Sequence, residues 1–360
     1  MRQTVVAVGM SGGVDSSVAA ALLVEQGYSV IGIMLRLWSE PGQEDSNRCC
    51  TPDAMAQARR VAAKLGIPFY ALNAQKKFHD IVVQNFIEGY SSSLTPNPCL
   101  DCNQFIRWDH LLRFAEDLGA TKFATGHYAR LRSINGNTFL LRAKDDQKDQ
   151  SYVLSVLSQE KLQKTILPVG EYTKTEVREI AHRFGLSGAE RQESQDLCFL
   201  AGKDYRQFLQ RHTTKVVEPG KIENSKGEVL GEHQGLGFYT IGQRKGLGLY
   251  TSRPMYVIEK RAQDNLLVVG EGHELGSNYL LAHLATWIGR EPPTSQFRAE
   301  VKIRYKATFA PGLINVLDND RFEVKFDHVA RDITPGQRVV IYDGEFVVGG
   351  GTIQSSKNLG

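Results

Sequence analysis

Short apolar runs alternate with longer amphipathic stretches along the first third of the chain. The apolar runs, which predict β-strands, lie at 4–9, 29–34, 68–72 and 122–125. The amphipathic stretches, which predict helices, lie at 14–26, 52–65, 77–90 and 105–118. Because strands that alternate with helices form a parallel, doubly wound sheet, the pattern predicts an α/β fold. Ligands of such sheets bind beyond the carboxyl ends of the strands.

The pattern changes in the second half of the chain. Thr173 and Glu176 have the spacing of a capping box, which predicts a helix that reaches Phe184 and stops at Gly185. From about residue 203 the helical signal fades. The many glycines of 220–248 then indicate a small β-rich domain with tight turns.

Short alternating runs dominate from about residue 278 onward. They lie at 297–305, 313–317, 322–326, 338–342 and 345–348, with polar turns between them. Regular short strands of this kind predict a small closed β-barrel. A chain of 360 residues suits two or three domains. We predict three: a catalytic domain at 1–204, a small central domain at 205–277 and a C-terminal barrel at 278–360.

Composition adds few constraints to this picture. The chain is 41% hydrophobic and 23% charged, as globular proteins are. No apolar run approaches the roughly 20 residues that cross a bilayer, and no basic leader precedes an apolar segment, so we expect a cytoplasmic protein with no membrane partner. The net charge of +3 is close to neutral, so an RNA-binding face would need local clusters of Lys and Arg.

A glycine-rich run joins the first predicted strand to the first predicted helix. Its residues are Gly9, Met10, Ser11, Gly12, Gly13, Val14, Asp15 and Ser16. Glycines let the backbone approach a phosphate, and the helix start offers free N–H groups and the positive end of the helix dipole. The run has neither the lysine of a Walker loop nor the glycine spacing of a dinucleotide fingerprint. We expect Asp15 to act through Mg²⁺ or by fixing the loop.

The run Ser-Gly-Gly-x-Asp-Ser resembles the pyrophosphate loop of the ATP pyrophosphatases. This resemblance implies that ATP is cleaved between its α and β phosphates. The loop would hold the departing pyrophosphate while AMP is transferred to a substrate oxygen.

The five cysteines are an odd number and argue against a disulfide framework. Cys99 and Cys102 form a C-x-x-C pair after two prolines, which we interpret as a rigid loop before the helix at 105–118. A thiol near a helix N-terminus has a lowered pKa. Zinc would need a second ligand pair, and a thioredoxin-like role would leave the ATP loop unexplained. Sulfur transfer explains both the ATP loop and the C-x-x-C pair, because ATP would activate a carbonyl oxygen as an adenylate and a sulfur nucleophile would then displace AMP. Cys49 and Cys50 are adjacent, and we interpret them as structural.

Five separated blocks resemble the tRNA-specific 2-thiouridylases, pyrophosphate-loop enzymes that sulfurate the wobble uridine at tRNA position 34. The blocks lie at 9–17, 95–103, 125–130, 148–152 and 237–246, in the order that the family keeps. The resemblance implies an adenine-nucleotide α-hydrolase-like domain followed by two domains that contact tRNA. It implies ATP and Mg²⁺ as cofactors, adenylation of uracil O2, and a persulfide sulfur-donor protein as partner besides the tRNA anticodon arm. A disulfide bond is also implied.

The same resemblance implies roles for individual residues. Cys102 matches the nucleophile and Cys198 the persulfide-carrying cysteine, whose sulfur attacks C2 directly or leaves as hydrosulfide when Cys102 attacks. Met34 and Gly126 match adenosine contacts. The positions that match tRNA contacts are Asn97, Pro98, Cys99, His127, Lys148, Asp149, Gln150, Arg304, Tyr305 and Gln337.

The chain departs from the family at Cys99, where many members have an Asp that is often assigned as the proton acceptor. Asp101 lies two positions further on, so we do not assign it the role of that Asp. A second hypothesis places a [4Fe–4S] cluster on Cys99, Cys102 and Cys198, with one iron open for hydrosulfide.

Two further functions remain open. One is an amidotransferase or ligase that acts on a small metabolite, which would leave the cysteines without a role. The other is an RNA-binding module with an inactive loop. The segment Gln243-Arg244-Lys245 fits either an exposed turn or a phosphate-binding loop. The same ambiguity applies to Lys203, Arg206, Arg211 and Lys215.

Overall fold

The computed structural model describes residues 3–42, 51–186, 197–200, 202, 204–214 and 217–358. Cys49, Cys50, Lys203 and Lys215 therefore lie outside the described residues. Among the residues that are described, no helix has the length and apolarity needed to cross a membrane.

A five-stranded parallel sheet organises the N-terminal part. The strands of this part are β1 (Val5–Gly9), β2 (Ser29–Arg36), β3 (Phe69–Asn73), β4 (Lys122–Thr125), β5 (Arg130–Ile134), β6 (Asn137–Leu141) and β7 (Thr165–Ile166). The sheet has the order β3-β2-β1-β4-β7, and all its neighbours run parallel. The predicted parallel sheet is confirmed. Because β2 and β4 lie on opposite sides of β1, the end of β1 is the point where ligands bind in open α/β sheets.

Eight helices accompany these strands in the described residues. They are α1 (Val14–Glu25), α2 (Pro52–Leu65), α3 (Gln75–Phe78, π-helical His79–Val83 and Gln84–Ser91), α4 (Pro98–Asp101, π-helical Cys102–Leu111 and Leu112–Asp117), α5 (Ser151–Leu154), α6 (Gln159–Gln163), α7 (Lys174–Arg183) and α8 (Tyr205–His212). Both hydrogen bonds of the capping box predicted for α7 are present.

Two hydrophobic cores cover the two faces of the sheet. Alternate residues of a strand point to opposite faces. Ala7 accordingly packs in the core that contains α3 and α4, while Val6 and Val8 pack in the core that contains α1, α2 and α7. Burial on both faces explains why the strands are continuous apolar runs in the sequence.

Two predictions about helices were wrong. The C-x-x-C pair lies in helix α4 rather than in a rigid loop, because the Asn97 side chain caps the helix by accepting from the Cys99 backbone N–H (3.2 Å) and Pro98 occupies the first helical position. Helix α8 lies where the helical signal was expected to fade. Its cap is Asp204, whose carboxylate accepts from the Arg206 backbone N–H (2.9 Å).

Two sheets make up the rest of the described chain. Their strands are β8 (Gly220–Asn224), β9 (Val229–His233), β10 (Tyr256–Arg261), β11 (Leu266–Gly270), β12 (Ser277–Trp287), β13 (Gln296–Lys302), β14 (Ala310–Val316), β15 (Phe322–Ala330), β16 (Arg338–Asp343) and β17 (Phe346–Lys357). The central sheet has the order β10-β11-β8-β9. Strands β12 to β17 close into a barrel because β12 pairs with both β15 and β17. The predicted barrel is confirmed.

The barrel is joined to the N-terminal part by strand pairing and by buried polar contacts. The hairpin β5–β6 extends the barrel sheet, with Leu141 opposite Phe346 on β17. Arg338 is 3% exposed and donates to the Ser155 hydroxyl (2.9 Å), while the Tyr152 hydroxyl donates to the Arg338 carbonyl (2.7 Å). The boundaries 1–204, 205–277 and 278–360 stay a prediction.

Candidate active site

The glycine-rich run forms a tight loop between β1 and α1. Gly12 has a φ of +71°, and a Cβ there would lie 2.4 Å from the carbonyl oxygen of Ala54, so only glycine fits. The Ser11 backbone N–H donates to the Ser16 hydroxyl (3.2 Å), and that hydroxyl donates to the Gly13 carbonyl (3.2 Å). Gly13 is the N-cap of α1 and makes no side-chain cap hydrogen bond. The helix start can therefore accept an anion.

The other residues assigned to ATP surround this loop. Gly9 ends β1, and the Met10 N–H extends the pairing with β2 by donating to the Ile33 carbonyl (2.8 Å), while Val14 is the buried first residue of α1. Met34 is fully buried on β2. Gly126 follows β4, and a Cβ there would lie 2.5 Å from the Ser16 backbone nitrogen. The structure thus brings these positions to one edge of the sheet, and their contacts with ATP stay a prediction.

A lysine that the sequence reasoning missed reaches the loop from helix α7. Lys174 is 7% exposed, and its Nζ lies 2.7 and 2.9 Å from the two carboxylate oxygens of Asp15. The Tyr128 hydroxyl donates to the same carboxylate (2.7 Å). Of the two roles expected for Asp15, these contacts favour fixing the loop.

The sequence places Lys174 at the start of a predicted helix, but it shows neither the burial of this side chain nor its partner. Lys174 is the first residue of α7, directly after the N-cap Thr173. A cation is unfavourable near the positive end of a helix dipole, so a buried lysine at that position needs a partner outside its own helix.

The cysteines assigned to sulfur chemistry lie on helix α4 and on the turn at 198–200. Cys102 is 8% exposed in the core of α3 and α4, and the half-buried Cys198 packs against that core. Cys99 is exposed. The turn Cys198–Leu200 is anchored by Phe199, whose ring centroid lies 5.2 Å from that of Phe86 on α3. Both cysteines thus contact the same hydrophobic core, and their action as a reactive pair stays a prediction.

The [4Fe–4S] hypothesis finds no support in the arrangement of side chains. No group of three or more His, Cys, Asp or Glu residues in the described ranges is placed to hold a metal ion. Cys99, Cys102 and Cys198 all belong to those ranges. Cys99 is exposed on the first turn of α4 while Cys102 is buried, so the two do not share an environment.

Asp101 lies between the two cysteines of the C-x-x-C pair and is partly buried. Burial raises the pKa of its carboxyl to about 6, and the Asn85 amide, which donates to the carboxylate at 3.3 Å, opposes that rise. The hydrogen bond from Asn85 links Asp101 on α4 to helix α3.

Replacing Asp101 by Asn should make the protein more stable above pH 6. Folding raises the pKa of the carboxyl from 3.8 to about 6. Its favourable contribution to the free energy of unfolding is therefore present below pH 3.8 and is lost as the pH rises through 6. Removing the charge should add about 2–3 kcal/mol to the free energy of unfolding at pH 8 and little at pH 4. Urea unfolding of both proteins between pH 4 and 8 measures this difference. Parallel pH profiles would contradict it.

His127 lies directly after the Gly126 that packs on the loop, and it is buried. Burial first, and then the Arg107 guanidinium, hold the pKa of His127 well below its usual range, so the ring is neutral. Arg107 is only a donor, so His127 Nε2 accepts from it (3.0 Å), and Nδ1–H donates to the Thr125 hydroxyl (2.8 Å). His127 therefore orients Arg107 on α4, and its own contact with tRNA stays a prediction.

Within the block 148–152, the residues assigned to tRNA are one buried residue, Asp149, between the partly exposed Lys148 and Gln150. The Asp149 carboxylate accepts from the Ala143 backbone N–H (3.0 Å) and from the Ser151 hydroxyl (2.9 Å), so it shapes the turn. The Gln150 side chain accepts from the Tyr128 backbone N–H (2.9 Å), and Lys148 is partly exposed.

The barrel residues assigned to tRNA lie on turns. Arg304 and Tyr305 follow the end of β13 at Lys302, so the predicted strand 297–305 was too long. Arg304 is half exposed and pairs with Asp332 (2.8 Å). The Gln337 amide donates to the Thr95 carbonyl (3.0 Å), which brings this part of the barrel next to the start of α4.

A glycine-rich anion loop at the switch point of a parallel sheet defines a nucleotide-binding α/β protein of the pyrophosphate-loop class. Three family models match consecutive parts of the chain: the tRNA methyl transferase HUP domain at 4–202, the tRNA methyl transferase PRC-barrel domain at 206–271 and the aminomethyltransferase beta-barrel domain at 277–353. The chain belongs to the family of the tRNA-specific 2-thiouridylase MnmA.

Relatives of that name match over almost their whole length. The protein of Natranaerobius thermophilus is 44% identical over 98% of both chains. The protein of Carboxydothermus hydrogenoformans is 45% identical over 97% of both chains. Among solved structures, a 4-thiouridine synthetase–RNA complex with bound ATP has a TM-score of 0.36 and 17% identity, over 58% of this chain and 50% of that one.

Proposed function

We propose that the protein is a tRNA-uridine 2-sulfurtransferase that uses ATP to thiolate the wobble uridine of tRNA. The observation that carries this proposal is that one chain of the 2-thiouridylase family has both an anion loop at the end of β1 and the thiols of Cys102 and Cys198. An amidotransferase or ligase would use the loop and leave both thiols without a role.

The loop and helix α1 serve the first step, the adenylation of the uracil. ATP is expected as its Mg²⁺ complex, with its pyrophosphate against the N–H groups of the loop. Uracil O2 attacks the α-phosphorus, and the bond to the pyrophosphate breaks. Lys174 keeps the loop in shape by pairing with Asp15, and its ammonium group, not the neutral pair as a whole, stabilises the leaving pyrophosphate.

The two thiols serve the second step. A sulfur-donor protein loads Cys198 with a persulfide, whose terminal sulfur attacks C2 while AMP leaves. The Cys102 thiolate then attacks the Cys198 sulfur, which frees the thiouridine and forms a disulfide between the two cysteines that a cellular thiol must reduce. In the alternative route Cys102 attacks the persulfide first, and hydrosulfide attacks C2.

The tRNA-contact assignments are part of the same proposal. The start of α4 with Asn97, Pro98 and Cys99 receives the target base. The block 148–150, the turn with Arg304 and Tyr305, and Gln337 surround it. The cytosol is the expected location.

An assay of product formation tests the proposal directly. Purified protein, unmodified tRNA, ATP, Mg²⁺ and a persulfide donor are incubated, and the tRNA is digested and analysed by mass spectrometry for 2-thiouridine. We expect 2-thiouridine at position 34 in an amount that depends on ATP, with AMP formed as coproduct. A reaction without ATP is the control. Absence of the thionucleoside in every elongator tRNA would refute the proposed function.

A further inference from the structure

The turn that carries Cys198 is held by the side chain of its neighbour Phe199. This side chain is 2% exposed. Three aromatic rings surround it, with centroid distances of 6.0 Å to Phe78, 5.2 Å to Phe86 and 5.6 Å to Phe208. The first two rings belong to α3, and Phe208 belongs to α8. Because α8 supplies one wall of this aromatic socket, the position of Cys198 depends on where α8 lies.

Helix α8 is attached through its last turn to a buried carboxylate on another part of the chain. Glu40 is 8% exposed, and its two oxygens accept from Nε and Nη2 of Arg211 at 2.8 Å each. His212 Nε2 lies 3.1 Å from the same carboxylate, which can only accept, so the ring donates. The hydrogen bonds from Arg211 lower the pKa of Glu40, which keeps the carboxylate charged at neutral pH. We call Glu40, Arg211 and His212 the α8 clamp.

Aromatic contacts join the α8 clamp to the socket around Phe199. Phe208 and His212 are one helical turn apart on α8, and their ring centroids lie 4.4 Å apart. Trp38, two positions before Glu40, packs on both rings, at 6.3 Å from Phe208 and 6.2 Å from His212. A shift of α8 that breaks the bonds to Glu40 therefore moves Phe208, and with it one wall of the socket that holds Phe199.

Glu40 follows a strand of the sheet that carries the phosphate loop. Strand β2 ends at Arg36, four positions before Glu40. Because β2 and β1 are paired in parallel, their carboxyl ends meet at the same edge of the sheet, where the loop begins. The α8 clamp thus links the segment after β2 to the turn that carries Cys198. Neither step of the proposed reaction uses a residue of the clamp.

We propose that Glu40 is a positioning residue for sulfur transfer, which holds α8 through Arg211 and His212 and thereby keeps Cys198 in place for the second step. The inference rests on the proposed function. A misplacement of about 1 Å in a reacting group can cost about a hundredfold in rate, so the second step should depend on the clamp. Adenylation should not, because the loop between β1 and α1 contains no residue of the clamp.

Single-turnover kinetics with persulfide-loaded protein test this role. Glu40→Gln keeps the size of the side chain and one accepting oxygen, and it removes the charge that holds Arg211. We expect the rate of 2-thiouridine formation to fall about tenfold or more, while tRNA-dependent pyrophosphate release changes by less than about twofold. Arg211→Met should give the same split between the two rates. The Arg211 side chain is 44% exposed, so this second variant leaves the core intact. The double variant should be no slower than the slower single variant, since both substitutions remove one interaction.

A measurement that needs no turnover tests the position of Cys198 directly. Alkylation of the native protein by iodoacetamide, followed by peptide mass spectrometry, gives separate rates for Cys198, Cys102 and Cys99. In Glu40→Gln, Cys198 should react about fivefold faster or more, because loosening of α8 exposes it. The buried Cys102 and the exposed Cys99 should keep their rates. This result is expected whether or not the protein forms 2-thiouridine, so failure of the clamp and failure of the proposed function are distinguishable.

Glu345→Gln is the matched control. Glu345 lies between β16 and β17 and also pairs with two cations, Arg130 at 2.7 Å and Arg132 at 2.8 Å, so it joins the hairpin β5–β6 to the barrel. Thiolation, pyrophosphate release and alkylation of Cys198 should all keep their wild-type rates in this variant.

Three results would overturn the inference. The first is a parallel loss of pyrophosphate release and thiolation in Glu40→Gln, which marks a general loss of structure. The second is a wild-type rate of thiolation in both Glu40→Gln and Arg211→Met or, where the wild-type protein forms no 2-thiouridine, wild-type alkylation of Cys198 in both variants. The third is weaker tRNA binding in Arg211→Met with normal thiolation in Glu40→Gln, which would make Arg211 a phosphate ligand.

Discussion

Replacing either Cys102 or Cys198 by serine should lower the rate of 2-thiouridine formation by about a thousandfold or more. A serine hydroxyl neither carries a persulfide nor attacks one at neutral pH, so each substitution removes a bond-forming group and not a binding contact. Serine has nearly the volume of cysteine, and both cysteines pack at the edge of a large core, so the fold should be retained. Product formation is measured by mass spectrometry of digested tRNA.

Two measurements separate this chemistry from a structural defect. ATP binding should be unchanged, because the loop between β1 and α1 contains neither cysteine. Cys99→Ser is the matched control: it lies on the same helix, and its exposed thiol has no assigned step, so its effect should be confined to tRNA affinity. Wild-type product yield from either Cys102→Ser or Cys198→Ser would refute the assigned roles.

The Cys102→Ser protein also distinguishes the two routes of sulfur transfer. If the persulfide attacks C2 directly, the variant should accumulate a tRNA joined to Cys198 through a disulfide, which a small thiol releases as thiolated tRNA. If Cys102 must first liberate hydrosulfide, no such adduct forms. Denaturing gel electrophoresis with and without reductant measures the adduct.

The sheet and the barrel were predictable from sequence because their patterns have local causes. The central strands β1 and β2 are almost wholly apolar since both of their faces are covered, and the glycine after α2 ends that helix in a left-handed conformation. The hairpin β5–β6 was not predictable as part of the barrel sheet. Its pairing of Leu141 with Phe346 joins residues that are far apart in sequence, and only the packed domains determine which sheet edge is free.

The start of α4 shows how the same residues can support two interpretations. Two prolines before Cys99 suggested a rigid loop, although Asn97 followed by Pro98 is also a common helix start. Burial of Leu100 and Cys102 against α3 favours the helix, and that packing is not visible in a single sequence. Both cysteines of the pair therefore lie in the first turns of a helix and not in a loop ahead of one.

The phosphate loop was evident from the sequence, but its lysine was not. Asp15 and Lys174 are 159 positions apart, and only the packing of α7 against α1 brings them together. The loop itself contains no lysine, as its sequence shows. The positive charge at this site comes instead from another helix.

Lys174→Met should lower the rate of tRNA-dependent AMP formation by about a hundredfold or more, with a smaller loss of stability. Methionine has a similar length and no charge, so the variant leaves the Asp15 carboxylate, 28% exposed, beside the pyrophosphate without its cation. Because Tyr128 still donates to Asp15, the free energy of unfolding should fall by about 1–3 kcal/mol and not by the full cost of a buried unpaired charge. AMP release and urea unfolding are the two measurements.

Lys144→Met is the matched control for this substitution. Lys144 pairs with Glu176 on the same helix α7, but the side chain is 48% exposed, so its removal should cost at most about 1 kcal/mol and leave AMP formation unchanged. The double variant Asp15→Asn with Lys174→Met separates structure from catalysis. Removing both charges should restore most of the lost stability, since no unpaired carboxylate remains. AMP formation should stay low in that variant if Lys174 stabilises the leaving pyrophosphate, and full recovery of the rate would reduce its role to neutralising Asp15.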